Sequence, residues 1–89
     1  MEWTWDPAKA EANQRKHRIR FEVAAIALDH PLVDSHQDLH PDGDRVRTFA
    51  PAGPLLLLIV HTLPNGKPGR IIGSREATPR ERRYYETRT

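Results

Sequence analysis

Eight consecutive residues, "LLLLIVHT" at 55–62, carry no polar side chain until the last two positions. A strand of that composition has no face to show to water, so it belongs in the middle of a sheet with apolar material on both sides. The run is far too short to cross a bilayer, which takes about 20 apolar residues. An 89-residue chain must therefore wrap two covering layers around one strand, which leaves room for a single domain over 1–89 and a modest core. The N-terminus "MEWTWDPAK" has neither the basic nor the apolar region of a secretory signal, and there are no cysteines. Disulfides and thiolate metal sites drop out, and a cytoplasmic, non-membrane protein is the expectation.

The flanking text supplies the layers. "EWTW" at 2–5 places Trp3 and Trp5 on one face of a short strand, and Asp6-Pro7 gives an N-cap and first residue for a helix running to about His17. That helix is polar and rich in alanine, suited to covering a sheet edge with one narrow face. Phe21, Ala24, Ala25 and Leu28 form the apolar stripe of a second helix, which Pro31 ends. Strands are expected from Leu32, over 45–50 and over 70–75, with turns at "HPDGD" (40–44), "PAGP" (51–54) and Asn65-Gly66. Thr78, Pro79 and Glu81 have capping-box spacing for a last helix at about 79–87. The fold class is α+β: a small antiparallel sheet packed with two N-terminal helices and one C-terminal helix.

Charge is segregated along this order. Residues 1–20 sum to +2, residues 21–44 hold six acids and no Lys or Arg, and residues 45–89 sum to +6. The small net charge of +2 thus conceals a basic part able to attract phosphates. Arg75 leaves its strand beside Gly73 and just before a helix N-terminus, where it could meet a phosphate; it could equally pair with Glu81 or Glu86 to fasten the last helix. Arg82 and Tyr85 are three apart on that helix, as are Arg80 and Arg83, so guanidinium and phenol share a face that could grip an unpaired base, or simply be solvated. Lys9, Asn13, Lys16 and His17 fall in one sector of the first helix, where His17 could move a proton or merely cap the helix end. Asp34, His36, Asp38 and His40 would share a strand face. They are too spread along it for one ion to collect more than two, so an acidic edge is favoured over a metal site.

Taken in order, "WDPAKAEANQRKH" (5–17), "FEVAA" (21–25), "DHP" (29–31), Asp44-Arg45, "LLLLIVHT" (55–62) and "RIIGSREATPRERRYYE" (70–86) resemble the BrnT family of toxins in type II toxin–antitoxin systems. The resemblance implies a RelE-like ribonuclease fold and an RNA-degrading activity that arrests growth. It also implies neutralisation by a BrnA-like antitoxin whose ribbon-helix-helix domain dimerises and binds operator DNA, giving a heterotetramer. Two positions depart from the family pattern: Ala50 where glycine is usual, which could alter a turn, and "IIGSR" for "IISAR", which moves a hydroxyl from position 73 to Ser74.

RNA carries its own nucleophile, so cleavage by the 2′-OH needs no metal or cofactor, only proton transfer and stabilisation of charge on phosphorus. The expected catalytic residues are Arg45 and Arg75 on the scissile phosphate, His61 as a second acid/base beside His17, and Tyr85 on a base or in proton transfer. Lys9, Lys16, His17, Arg70 and Arg82 are the expected RNA-binding set. The reading from another class is a non-catalytic module of the same fold that binds nucleic acid or only its antitoxin.

Overall fold

The computed structural model describes residues 2–38, 45–63 and 67–88. The turns expected at 40–44 and at Asn65-Gly66, with His40 and Asp44, lie outside them. The order is β1 (Trp3–Thr4), α1 (Pro7–His17), α2 (Phe21–Ala27), β2 (Asp34–Asp38), β3 (Arg45–Ala52), β4 (Leu55–Thr62), β5 (Gly69–Glu76) and α3 (Pro79–Arg88). The strands form one sheet, ordered β1-β5-β4-β3-β2, so the apolar run is its central strand.

Each face of β4 carries its own core. Leu57 and Ile59 join Ile71, Ala50, Phe21, Ala24 and Ala27 beneath α1 and α2, while Leu56 and Leu58 join Phe49 and Tyr85 beneath α3. Ala50 is fully buried opposite Leu57, within β3 and not in a turn, and its φ is not positive. It therefore packs the core without backbone strain. The turn itself is shorter than the sequence suggested: Ala52 pairs with Leu55 across Gly53-Pro54, with Gly53 at φ 60. A positive φ at the first central position followed by proline is the pattern of a type II′ hairpin, whose twist matches the strands.

The sheet is mixed, not purely antiparallel, because β1 pairs with β5 in parallel. No hairpin turn dictates its direction, and it docks by laying Trp3 over Gly69. A Cβ on Gly69 would come within 2.9 Å of Trp3 Cε3 and 3.0 Å of the Thr62 carbonyl oxygen.

Beyond Arg70 the outer edge of β5 has no strand partner among the described residues, and α1 covers it with a side chain. Asn13 Nδ2 donates to the Ser74 carbonyl (2.8 Å) and to the Ile19 carbonyl (3.0 Å), while its Oδ1 accepts from Ser74 N (3.1 Å). One amide thus imitates the edge of a missing strand and ties down the chain after α1, where Arg18 takes the left-handed conformation (φ 60). Asn13→Ala is expected to cost about 1–3 kcal/mol, because three backbone groups lose a partner at once. Urea unfolding midpoints measure it.

Candidate RNA-binding face

Alternation along the strands sorts the charged side chains. Arg45, Arg47 and Phe49 of β3 lie on the α3 face, and Arg47 stands across from Val60, which in turn stands across from Gly73 of β5. Arg75 is on the same face, opposite Leu58. The register puts the Arg47 and Arg75 Cα atoms about 12 Å apart and those of Arg45 and Arg75 about 16 Å apart, from strand spacing and rise. Arg47 and Arg75 are therefore the nearer pair on this face, and Arg45 serves a neighbouring position.

Arg75 does not stand free. Its Nη1 and Nη2 donate to Glu81 Oε1 and Oε2 at 2.7 and 2.9 Å, and Nη1 also reaches the Glu76 carbonyl at 3.3 Å. Arg47 Nη2 lies 3.8 Å from Glu81 Oε2. Glu81 also closes the capping box, accepting from Thr78 N (2.8 Å) while its own N–H donates to Thr78 Oγ1 (3.1 Å). The Arg75 guanidinium, with these hydrogen bonds, holds the Glu81 carboxyl at about 2 and raises Arg75 in return. Three of the five guanidinium N–H directions are engaged. The remainder leave Arg75 able to donate to a second anion while Glu81 fixes the plane of the fork.

Beside this pair is a cleft of about 180 Å³ lined by Asn13, His17, Leu58, Val60, Gly73, Ser74 and Arg75. α1 ends here, so His17, one turn beyond Asn13, reaches the same opening as Arg75. A Cβ on Gly73 would meet only Asn13 Oδ1, at 3.8 Å. The missing side chain leaves open floor. Ser74, paired with Ile59, sits on the other side of the strand, and its buried Oγ has no hydrogen-bond partner among the described residues. The hydroxyl at position 74 thus does not replace one at position 73 on the arginine face.

Farther along the same face, Arg70 and Lys67 line a polar depression with Thr4, Thr62, Leu63 and Pro68. Thr62 is the cross-strand partner of Arg45, so Arg45 borders this second group of cations. Lys9 and Lys16 are exposed on α1.

Three expected site residues have other duties. His61 is 4% exposed and faces α1 and α2, away from the arginines. Its Nδ1 donates to the Thr62 carbonyl (2.9 Å), its Nε2 accepts from Thr48 Oγ1 (2.7 Å), and Trp3 meets its ring edge-on at 4.9 Å. Burial lowers its pKa, so the ring is a neutral core group and neither a surface acid/base nor a solvent-facing strand end. Tyr85 is 8% exposed, packs on Phe49 and donates its hydroxyl to the Leu32 carbonyl at 2.6 Å. No base can stack on it. Arg82 donates to the Pro54 carbonyl at 3.2 Å, clasping α3 to the β3–β4 hairpin.

The sequence reading missed two groups here. Arg47 was legible from the alternation in "RVRTFA". Tyr84, 45% exposed, stands beside Phe49 and His36, with the Arg88 guanidinium 5.2 Å from its ring centre. Asp34 Oδ2 accepts from both His36 Nε2 and Arg88 Nε at 3.1 Å, so the acidic strand pairs with α3. Among the described residues no group of three or more metal-ligating side chains comes together.

A protein-family model described as "Ribonuclease toxin, BrnT, of type II toxin-antitoxin system" matches residues 5–81. The crystal structure of the Brucella abortus ribonuclease toxin BrnT superimposes with a TM-score of 0.71 at 17% identity, over 88% of this chain and 97% of that one. No curated protein shows a significant match.

Proposed function

The chain belongs to the BrnT family of ribonuclease toxins of type II toxin–antitoxin systems, and from that premise we propose that it cleaves RNA without a metal ion, by attack of the substrate's own 2′-OH. The carrying observation is that Arg75 and His17 line one cleft over the open floor at Gly73, with Arg47 drawn toward Arg75 through the Glu81 carboxylate that both approach. In this reading Arg75 and Arg47 stabilise negative charge accumulating on the scissile phosphate, where positioned donors contribute most. His17 takes the 2′-OH proton; O2′ bonds to phosphorus as the bond to O5′ breaks, and the leaving O5′ takes a proton from solvent. The products are a 2′,3′-cyclic phosphate and a 5′-hydroxyl. Arg45 and Arg70 hold neighbouring phosphates along the face, and Lys9 and Lys16 extend the cationic track along α1. RNA loss arrests growth, and a BrnA-like ribbon-helix-helix antitoxin neutralises the toxin in a heterotetramer that contacts operator DNA through the antitoxin.

Incubating the protein with single-stranded RNA in excess chelator tests the chemistry. Fragments ending in cyclic phosphate are expected. Intact RNA retained in a salt-sensitive complex would instead favour a non-catalytic binding module.

A further inference from the structure

The row of residues that crosses the sheet at the level of Gly73 does not end at Arg47. Gly73 stands opposite Val60, Val60 opposite Arg47, and Arg47 opposite His36 of β2, which alternation puts on the α3 face with the arginines. His36 is thus next to Arg47 and about 14 Å from the floor at Gly73, at the strand spacing of a sheet. α3 borders this row with one stripe, Glu81, Tyr84 and Arg88. Glu81 meets Arg75 and Arg47, Tyr84 meets His36 and Phe49, and Arg88 meets Asp34. A path along this face therefore starts at the Arg75–His17 cleft, passes Arg47 and ends on aromatic rings.

Those rings are placed to meet a base. Tyr84 is 45% exposed, while its neighbour Tyr85 supplies the aromatic ring that α3 buries. His36 and Phe49 flank Tyr84 with ring centres 5.8 and 6.3 Å away, and the Arg88 guanidinium, 5.2 Å from the ring centre, adds a second plane on which a base can lie. A lone surface tyrosine is ordinary. Three rings and a guanidinium at the end of a cationic row are not, because single-stranded RNA is held by this pairing of stacking for bases with cations for phosphates. Nor does Asp34 repel the strand, since its Oδ2 accepts from His36 Nε2 and Arg88 Nε at 3.1 Å each. We propose that Tyr84, flanked by His36 and Arg88, is the stacking subsite for an unpaired base of the RNA, one lying past Arg47 from the scissile phosphate. The subsite rests on the RNA-binding reading above but asks nothing of the catalytic step.

The test measures binding of the full chain to two probes that attack by 2′-OH cannot cut: a 2′-O-methylated oligoadenylate, and an abasic backbone of the same length and charge. Tyr84→Leu keeps an apolar contact with Phe49 but has no π-face, and Tyr84→Phe keeps the ring; both changes are at a half-exposed position that leaves folding intact. Tyr84→Leu is expected to weaken binding of the oligoadenylate by about five- to hundredfold, as loss of one stacked base does. Its affinity for the abasic backbone stays at the wild-type level, and Tyr84→Phe binds both probes as wild type does. Undiminished affinity of Tyr84→Leu for the oligoadenylate overturns the proposal, as does an equal loss on both probes, since the ring then serves the fold or the phosphates. Failure of the wild-type chain to bind either probe overturns it together with the RNA-binding reading. The expected pattern in a protein that leaves unmodified RNA uncut keeps the subsite and removes only the proposed nuclease.

Discussion

Alanine at Arg75 is expected to lower RNA cleavage by roughly 10²–10³-fold, the effect of removing one positioned donor from developing oxyanion charge. The same change breaks the bidentate pair with Glu81, so lost activity alone would not separate chemistry from folding. Glu81→Gln separates them. It removes the same ion pair and weakens the capping box but leaves the guanidinium in place. Both variants are expected to lose about 1–3 kcal/mol of stability, since the pair is charge-assisted and bidentate yet only half-buried, with side-chain exposures of 34% and 22%. Only Arg75→Ala loses cleavage, while Glu81→Gln keeps it at or above the wild-type level because the fork is released to the phosphate. Equal losses in both would mean that Glu81, and not Arg75 alone, is needed for the reaction. Glu81 also has a pH signature. Its folded pKa, about 2 against an ordinary 4.5, means that its contribution is complete above the unfolded value and is lost as pH falls toward 2.

Much of this face could be read from the chain, and the parts that could not have physical reasons. Composition alone placed β4, because a strand with no polar side can only be central. Capping signals at Asp6-Pro7 and at Thr78–Glu81 fixed where α1 and α3 begin, since those side chains bond the first free N–H groups. What escaped depended on rotation and register. Tyr84 and Tyr85 differ by about 100° around α3, and only docking decides which one is buried. A hint was present: Glu81, held inward by the capping box, is one turn before Tyr85, so Tyr85 follows it toward the sheet. The side of His61 was likewise implicit in the hairpin. A two-residue turn at Gly53-Pro54 pairs Val46 with His61 and so sends the imidazole to the face opposite Arg45. That Arg75 pairs bidentately with Glu81 and not with Glu86 was beyond the sequence, because it depends on the approach of α3 to β5. The same holds for Asn13, two of whose three hydrogen bonds connect residues 61 positions apart.

His61 gives the second large effect, in stability and not in catalysis. Ser35 Oγ, Thr48 Oγ1, His61 and the Thr62 carbonyl form one hydrogen-bonded chain from β2 to β4, with steps of 2.8, 2.7 and 2.9 Å. Thr62 accepts from Nδ1, so Nε2 must accept from Thr48; a protonated ring would turn that acceptor into a donor and bury a charge under Trp3. Burial thus lowers the folded pKa below the ordinary 6.5. Between the two values the unfolded chain binds a proton that the folded chain does not, so stability rises with pH through this window and is complete above it. Acidification from pH 7.5 to 5 is expected to lower the urea midpoint, with a slope of at most about 1.4 kcal/mol per pH unit for this one group. His61→Gln removes the titration: less stable than wild type at pH 7.5, it should draw closer to wild type as the pH falls. The window lies above the one set by Glu81, so His61→Gln flattens the curve near pH 6 and Glu81→Gln flattens it below pH 4.5. A wild-type curve unchanged by His61→Gln between pH 7.5 and 5 would mean that the imidazole accepts a proton in place, and that the relay through Thr48 does not hold it neutral.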